Sequence, residues 1–158
     1  MSDDQPLSGE RSTEHRFAPG GESHIESAMP LLSFVTDAER SPSEKRSFAE
    51  QVAELYAEHM ETATGQIAVE IREVEPGGLW IGRANDPDAG HLFCDADVRE
   101  GRSADQRRAF ALAVMGLATR EWALPEANLK VVFTEHVGPE MMGVDRVGSD
   151  WASKEIEE

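Results

Sequence analysis

The sequence predicts an α+β fold built from two α/β-type units in tandem, each β-α-β, forming a four-stranded sheet with two helices on one face. Three observations carry that prediction. Two capping boxes open two amphipathic helices, short apolar runs of strand length flank each helix, and the whole pattern recurs in register 62 residues further on. Arg40-Ser41 returns as Arg102-Ser103, Glu44 as Gln106, Lys45 as Arg107, Phe48 as Phe110, Val52 as Val114 and Leu55 as Leu117. Beyond the helix, Val69 returns as Val131 and Glu73 as Glu135, with no gap.

Taken in order, residues 1–28 are rich in Gly, Ser, Pro, Glu and Asp and poor in branched apolar side chains. Such a segment cannot bury enough surface to offset the entropy of ordering. It reads either as a disordered acidic extension or as sequence upstream of a true start at Met29. Leu31 to Val35 then forms the first strand. Ser41 is placed to cap a helix with Pro42 at its first position, and Phe48, Val52, Leu55, Tyr56 and His59 or Met60 form its apolar stripe.

Ile67, Val69 and Ile71 alternate with Ala68, Glu70 and Arg72, the period of a strand with one buried face. Pro76-Gly77-Gly78 ends it, Leu79 to Gly82 reads as a short extended piece, and Asn85 to Gly90 as a solvated loop. Leu92-Phe93-Cys94 opens the next strand, Ser103 to Gln106 caps a helix with Phe110, Val114, Leu117 and Ala118 inward, and Leu129 to Phe133 is the last strand. The units span 30–76 and 91–138 within a domain of 30–146, followed by an acidic tail, 147–158. A crossover of helical length makes the two strands of each unit parallel. The second sheet face is left uncovered and is expected to be apolar, which implies an oligomer.

Composition narrows the function classes. The 31 acidic residues against 15 basic ones, a net charge of −16, leave no basic footprint for nucleic acid. No apolar run approaches the ~20 residues needed to cross a bilayer, so no membrane association and a cytoplasmic location are expected. The single Cys94 forms no intrachain disulfide or cysteine-based metal cluster and reads as a small buried hydrophobe. Trp80, Trp122 and Trp151 read as packing anchors, with a pocket wall or a subunit contact as the alternative for Trp80. Only Lys45, Lys130 and Lys154 are lysines, and the other twelve basic residues are arginines. An acidic, lysine-poor surface suits a halophilic protein, because its self-repulsion is screened in molar salt, where the Debye length is about 3 Å.

Two features carry chemistry. Pro30 stands at a strand start in the first unit, where Leu92 stands in the second. Within a peptide bond it has no basic lone pair; as a free N-terminus, once Met29 is removed, it is a secondary amine and a base. Val98 to Ser103 places Arg99 and Arg102 at a strand end just before a helix N-terminus, where two guanidinium groups can grip a carboxylate or pair with neighbouring acids.

The Met29-Pro30 strand start, the duplicated unit and the run Arg99-Glu100-Gly101-Arg102-Ser103-Ala104-Asp105 resemble the tautomerase superfamily, closest to the cis-3-chloroacrylic acid dehalogenase group, over residues 30 to 146. The resemblance implies a homotrimer that needs no cofactor or metal. In it the N-terminal Pro30 is the catalytic base or acid, and Arg99 and Arg102 bind a small carboxylic acid substrate. Two nearby cations and partial burial would lower the amine pKa and keep it a usable base.

The chain departs from the dehalogenase pattern at three positions. Tyr56 stands where that group has a histidine, Val132 where it has a water-activating tyrosine and Gly143 where it has a glutamate. Tyr56 can donate to a substrate oxygen or simply pack in the core, and His59 is a weaker candidate of the same kind. Glu135, His136 and Glu140 are the nearby groups that could replace the missing water-activating carboxylate, with Glu135 also readable as structural because Glu73 matches it.

The leading reading is a tautomerase or isomerase that moves a proton on a small 2-keto or enol carboxylic acid. The alternatives are a hydratase, dehalogenase or decarboxylase of a three-carbon acid and, in another class, a non-catalytic carboxylate-binding trimer with Pro30 blocked by the extension. For a surface this acidic the melting temperature is expected to rise with KCl concentration, and a protein more stable in dilute buffer than in molar KCl contradicts the halophilic reading.

Overall fold

A computed structural model describes residues 29–144 of the chain, together with the backbone of 146 and 147. The acidic extension 1–28, Trp151 and almost all of the tail lie outside the described residues.

The element order is β1 (Leu31–Thr36), α1 (Pro42–Met60), β2 (Ala68–Glu73), β3 (Leu92–Arg99), α2 (Ala104–Trp122) and β4 (Leu129–His136). A two-residue hairpin of β5 (Met142–Gly143) and β6 (Arg146–Val147) follows. The predicted duplication is present in the backbone, since both helices begin and end exactly one repeat apart.

Each helix starts where its sequence directs. Ser41 Oγ accepts from the Glu44 amide at 3.1 Å while Glu44 Oε1 accepts from the Ser41 amide at 2.8 Å. Ser103 and Gln106 exchange the same two bonds, both at 3.0 Å. Each closed box satisfies two backbone donors that the first turn would otherwise leave open. Each helix also stops in the same way, in a left-handed residue that is not glycine, Glu61 at φ 57° and Ala123 at φ 59°.

The main sheet has the order β2-β1-β3-β4. β1 pairs with β2 in parallel and β3 with β4 in parallel, as right for β-α-β units. The two units join through β1 and β3, which run antiparallel with Leu31 opposite Asp97 and Thr36 opposite Leu92. Alternate residues Leu32 and Phe34 of β1 and Leu92, Cys94, Ala96 and Val98 of β3 are buried against the helices.

Between sheet and helices, aromatic rings lock the layers together. Phe48 meets Phe34 edge-on at 5.3 Å and stacks on Trp122 at 4.3 Å, while Tyr56 meets Phe110 edge-on at 5.2 Å. Such pairs add about 0.5–1.5 kcal/mol beyond burial. An ion pair is duplicated as well: Lys45 holds Glu73 in the first unit and Arg107 holds Glu135 in the second. Glu135 is therefore a structural group.

Two expectations are corrected. The uncovered sheet face is not simply apolar: alternation places Leu31, Val35, Phe93 and Val132 there, interleaved with Ser33, Glu70, Arg72, Asp95, Asp97 and Lys130. Ser33 donates to Glu70 at 3.0 Å, and Arg72 pairs with the same carboxylate at 3.4 Å. The polar partners cross between strands, which alternation along any one strand does not reveal. Leu79 to Gly82, the short extended piece, joins no sheet among the described residues, and a turn closes from Ala84 to Ile81. Trp80 on that loop is no packing anchor, being 81% exposed. Among the described residues, no helix is long and apolar enough to cross a membrane.

Phe110 is fully buried between Tyr56 and Phe133. Phe110→Ala is expected to lower unfolding stability by about 3–5 kcal/mol, read as a fall in the urea midpoint at unchanged slope.

Candidate active site

Pro30 is buried at the entry to β1, and its carbonyl accepts from the Ala68 amide at 3.1 Å, anchoring the strand start to β2. A cavity of about 420 Å³ opens against it. Its polar lining comes from Gln66, Asp97, His136 and Glu140, and its apolar lining includes Met29, a residue 7% exposed, and Met141.

Strand pairing explains this grouping. Asp97 lies opposite Leu31 on β3, and His136 ends β4 opposite Arg99, so both project on the uncovered sheet face beside the start of β1. Glu140 arrives one turn after His136 on a short 3-10 segment, Gly138–Glu140.

His136 links two of the other polar groups. Its Nε2 lies 3.0 Å from Asp97 Oδ1 and its Nδ1 3.3 Å from Glu140 Oε1. The Asp97 hydrogen bond, helped by Glu140 and opposed by burial, holds the imidazole above its ordinary value of 6.5. The positively charged form with two N–H donors is thus favoured.

Gly143 also lines the cavity, and a Cβ there would lie 3.0 Å from Gln66 Oε1. Glycine stands here at a position where the resemblance would place a glutamate, and the atom that a Cβ would crowd is the movable end of the Gln66 side chain. Val132 sits on the uncovered sheet face, opposite Asp95 in the strand register and away from the cavity lining.

The two candidate arginines are placed differently. Arg99 closes β3, is buried, and donates to the Glu100 carbonyl at 3.2 Å. The chain then turns through Gly101 at φ 111°, a conformation open to glycine and strained for other residues. Arg102, also buried, emerges just before the cap of α2 and hydrogen-bonds Tyr56 of α1.

Tyr56 is fully enclosed in the core, where burial pushes its hydroxyl up to about 12 against the opposing effect of Arg102. Neither arginine nor Tyr56 is among the residues lining the Pro30 cavity. Arg40, the counterpart of Arg102 in the first unit, makes the reciprocal contact: it donates to the Trp122 carbonyl at 2.6 Å and lies over that ring. Each arginine therefore ties its own unit to the helix of the other.

Of the remaining candidates, His59 lies at the end of α1 and its carbonyl accepts from Gln106. Cys94 is buried with its thiol pushed up to about 12, mainly by burial, so it has no thiolate character at neutral pH. Sequence reasoning missed Asp97 altogether, because its place in the cavity depends on the β1–β3 register. His136 and Glu140 were visible only as neighbours of a strand end.

Asp97→Asn is expected to lower the His136 titration midpoint toward its ordinary value, read by histidine NMR. The sign follows from linkage: a raised folded midpoint stabilises the fold most fully below the unfolded midpoint, and that contribution is lost as pH rises through the folded one. Asp97→Asn should therefore remove stability on the acidic side of that window and leave stability well above it unchanged.

No protein-family model and no curated protein matches the sequence. Solved structures do match its fold. N1, a member of the cis-3-chloroacrylic acid dehalogenase family, superposes with a TM-score of 0.66 at 18% identity, over 74% of this chain and 82% of that one. Pt0534 inactivated by 2-oxo-3-pentynoate gives 0.64 at 20% identity, over 76% and 97%. A fused 4-OT, described as an asymmetric trimer, gives 0.63 at 12% identity, also over 76% and 97%. These are members of the tautomerase superfamily. The chain has the fold of the tautomerase superfamily.

Proposed function

We propose that this chain is a tautomerase or isomerase that uses Pro30, as a free N-terminal amine, to move a proton on a small 2-keto or enol carboxylic acid within a homotrimer. The observation that carries the reading is the burial of Pro30 on the wall of a cavity large enough for such an acid. A fold shared with Pt0534, which 2-oxo-3-pentynoate inactivates, supports a 2-oxo acid as the substrate class. A fold shared with a trimeric fused 4-OT, together with the uncovered sheet face, supports the assembly.

In this mechanism the proline nitrogen takes the proton from the carbon next to the substrate carbonyl and returns it at a second position. A secondary amine does this well when burial and nearby cations disfavour its protonated form. Arg99 and Arg102 hold the substrate carboxylate in the assembled protein, and Tyr56 fixes the Arg102 guanidinium through its hydrogen bond. Tyr56 in this reading is a positioning residue.

A second reading is favoured by one specific observation. Asp97 and Glu140 bring carboxylates to the Pro30 cavity, and hydrating or dehalogenating a three-carbon acid needs a carboxylate to take a proton from water. Incorporation of solvent oxygen into product separates it from a pure proton shift.

Intact-mass analysis of protein from its native host should show a chain beginning at Pro30. Pro30→Ala should lower kcat/KM for ketonisation of an aryl pyruvate enol by about 10²–10⁴-fold. Native protein that retains residues before Pro30 and binds acids without turnover would instead make this a carboxylate-binding trimer.

A further inference from the structure

We propose that His136 is the group in the Pro30 cavity that receives the substrate's carbonyl oxygen, with Asp97 fixing its ring and Glu140 holding the place that this oxygen takes. The proposal rests on the reading of Pro30 as the proton-transferring base and assigns the electrophile that such a base requires.

Removing a proton beside a carbonyl moves negative charge onto the carbonyl oxygen, and a donor set in advance at that oxygen lowers the barrier. Among the described residues lining the cavity, His136 is the one whose side chain can carry positive charge, because the others are acidic, amide or apolar, and it stands between two carboxylates. Its two nitrogens are not equivalent. Nε2 is 3.0 Å from Asp97, a carboxylate only 27% exposed and rooted in the central strand β3. Nδ1 is 3.3 Å from Glu140, a carboxylate 60% exposed on the short segment after β4.

The first contact fixes ring orientation, as a carboxylate behind an imidazole does elsewhere. The second is a screened surface contact, easily exchanged for another oxygen. A substrate oxygen entering the cavity therefore meets Nδ1–H, and Glu140 swings out to solvent.

The step balances. The Pro30 lone pair takes the proton from the carbon next to the carbonyl, and the C–H electron pair forms the new C=C bond. The carbonyl π pair moves to oxygen, which takes the Nδ1 proton and leaves neutral His136 on Asp97. Reversal returns both protons and gives the keto acid.

The test is histidine NMR on the full chain titrated with phenylpyruvate. The His136 ring signals should shift and saturate with the ligand. His136→Asn should weaken the Kd at least tenfold, Asp97→Asn should weaken it less, and Glu140→Gln should tighten it by removing the competing carboxylate. His136 signals unmoved at excess phenylpyruvate, or a Kd for His136→Asn within twofold of the parent, overturns the assignment. Failure of Pro30 as base reads out separately, as turnover that survives Pro30→Ala, and leaves the binding titration intact.

Discussion

The antiparallel pairing of β1 with β3 is the constraint on which the rest depends. Each β-α-β unit can bury one face of its two strands under its own helix, but two strands and one helix make a marginal core. Joining the units through β1 and β3 makes one sheet under two helices, and it sets direction as well as contact. Because the strands oppose each other, the start of the first unit lies beside the end of β3. That is why Pro30, Asp97 and His136 share a cavity although the last two lie far along the chain.

The same pairing explains what could be read from sequence. The helix starts were legible to the residue because their signals are local: Ser41 with Glu44, Ser103 with Gln106, followed by apolar residues at helical spacing. The duplication was legible because it needs only registration, and its ion pairs, Lys45 with Glu73 and Arg107 with Glu135, recur in the structure. Pro30 and Arg99 stood out as strand-end residues. Asp97 did not, because a diagonal neighbour across strands belongs to the register, which no short stretch of sequence encodes. Trp80 read as an anchor for a related reason: an aromatic residue in an apolar run resembles core until the fold leaves it exposed.

Duplication also gives a measure of how far the halves have diverged. Arg40 and Arg102 still perform one task in mirror fashion, each reaching the opposite helix, yet one rests on an indole and a backbone carbonyl while the other meets a buried phenol. A buried guanidinium needs hydrogen-bonded company, and removing that company costs more than the bond itself contributed. The Tyr56–Arg102 contact is thus a fixed point of the interior, and it ties any role of Arg102 at the substrate to the packing of both helices.

Met29 gives the cavity a second character. Its side chain is almost wholly enclosed and forms part of the wall beside Pro30. In a chain that starts at Met29, trimming this one residue would do two things at once: it would unmask a nitrogen lone pair and vacate the space that the residue fills next to it. Chemical maturation and the hollowing of the chamber would then be a single event, and a chain with Met29 in place has both an acylated Pro30 nitrogen and a smaller room around it.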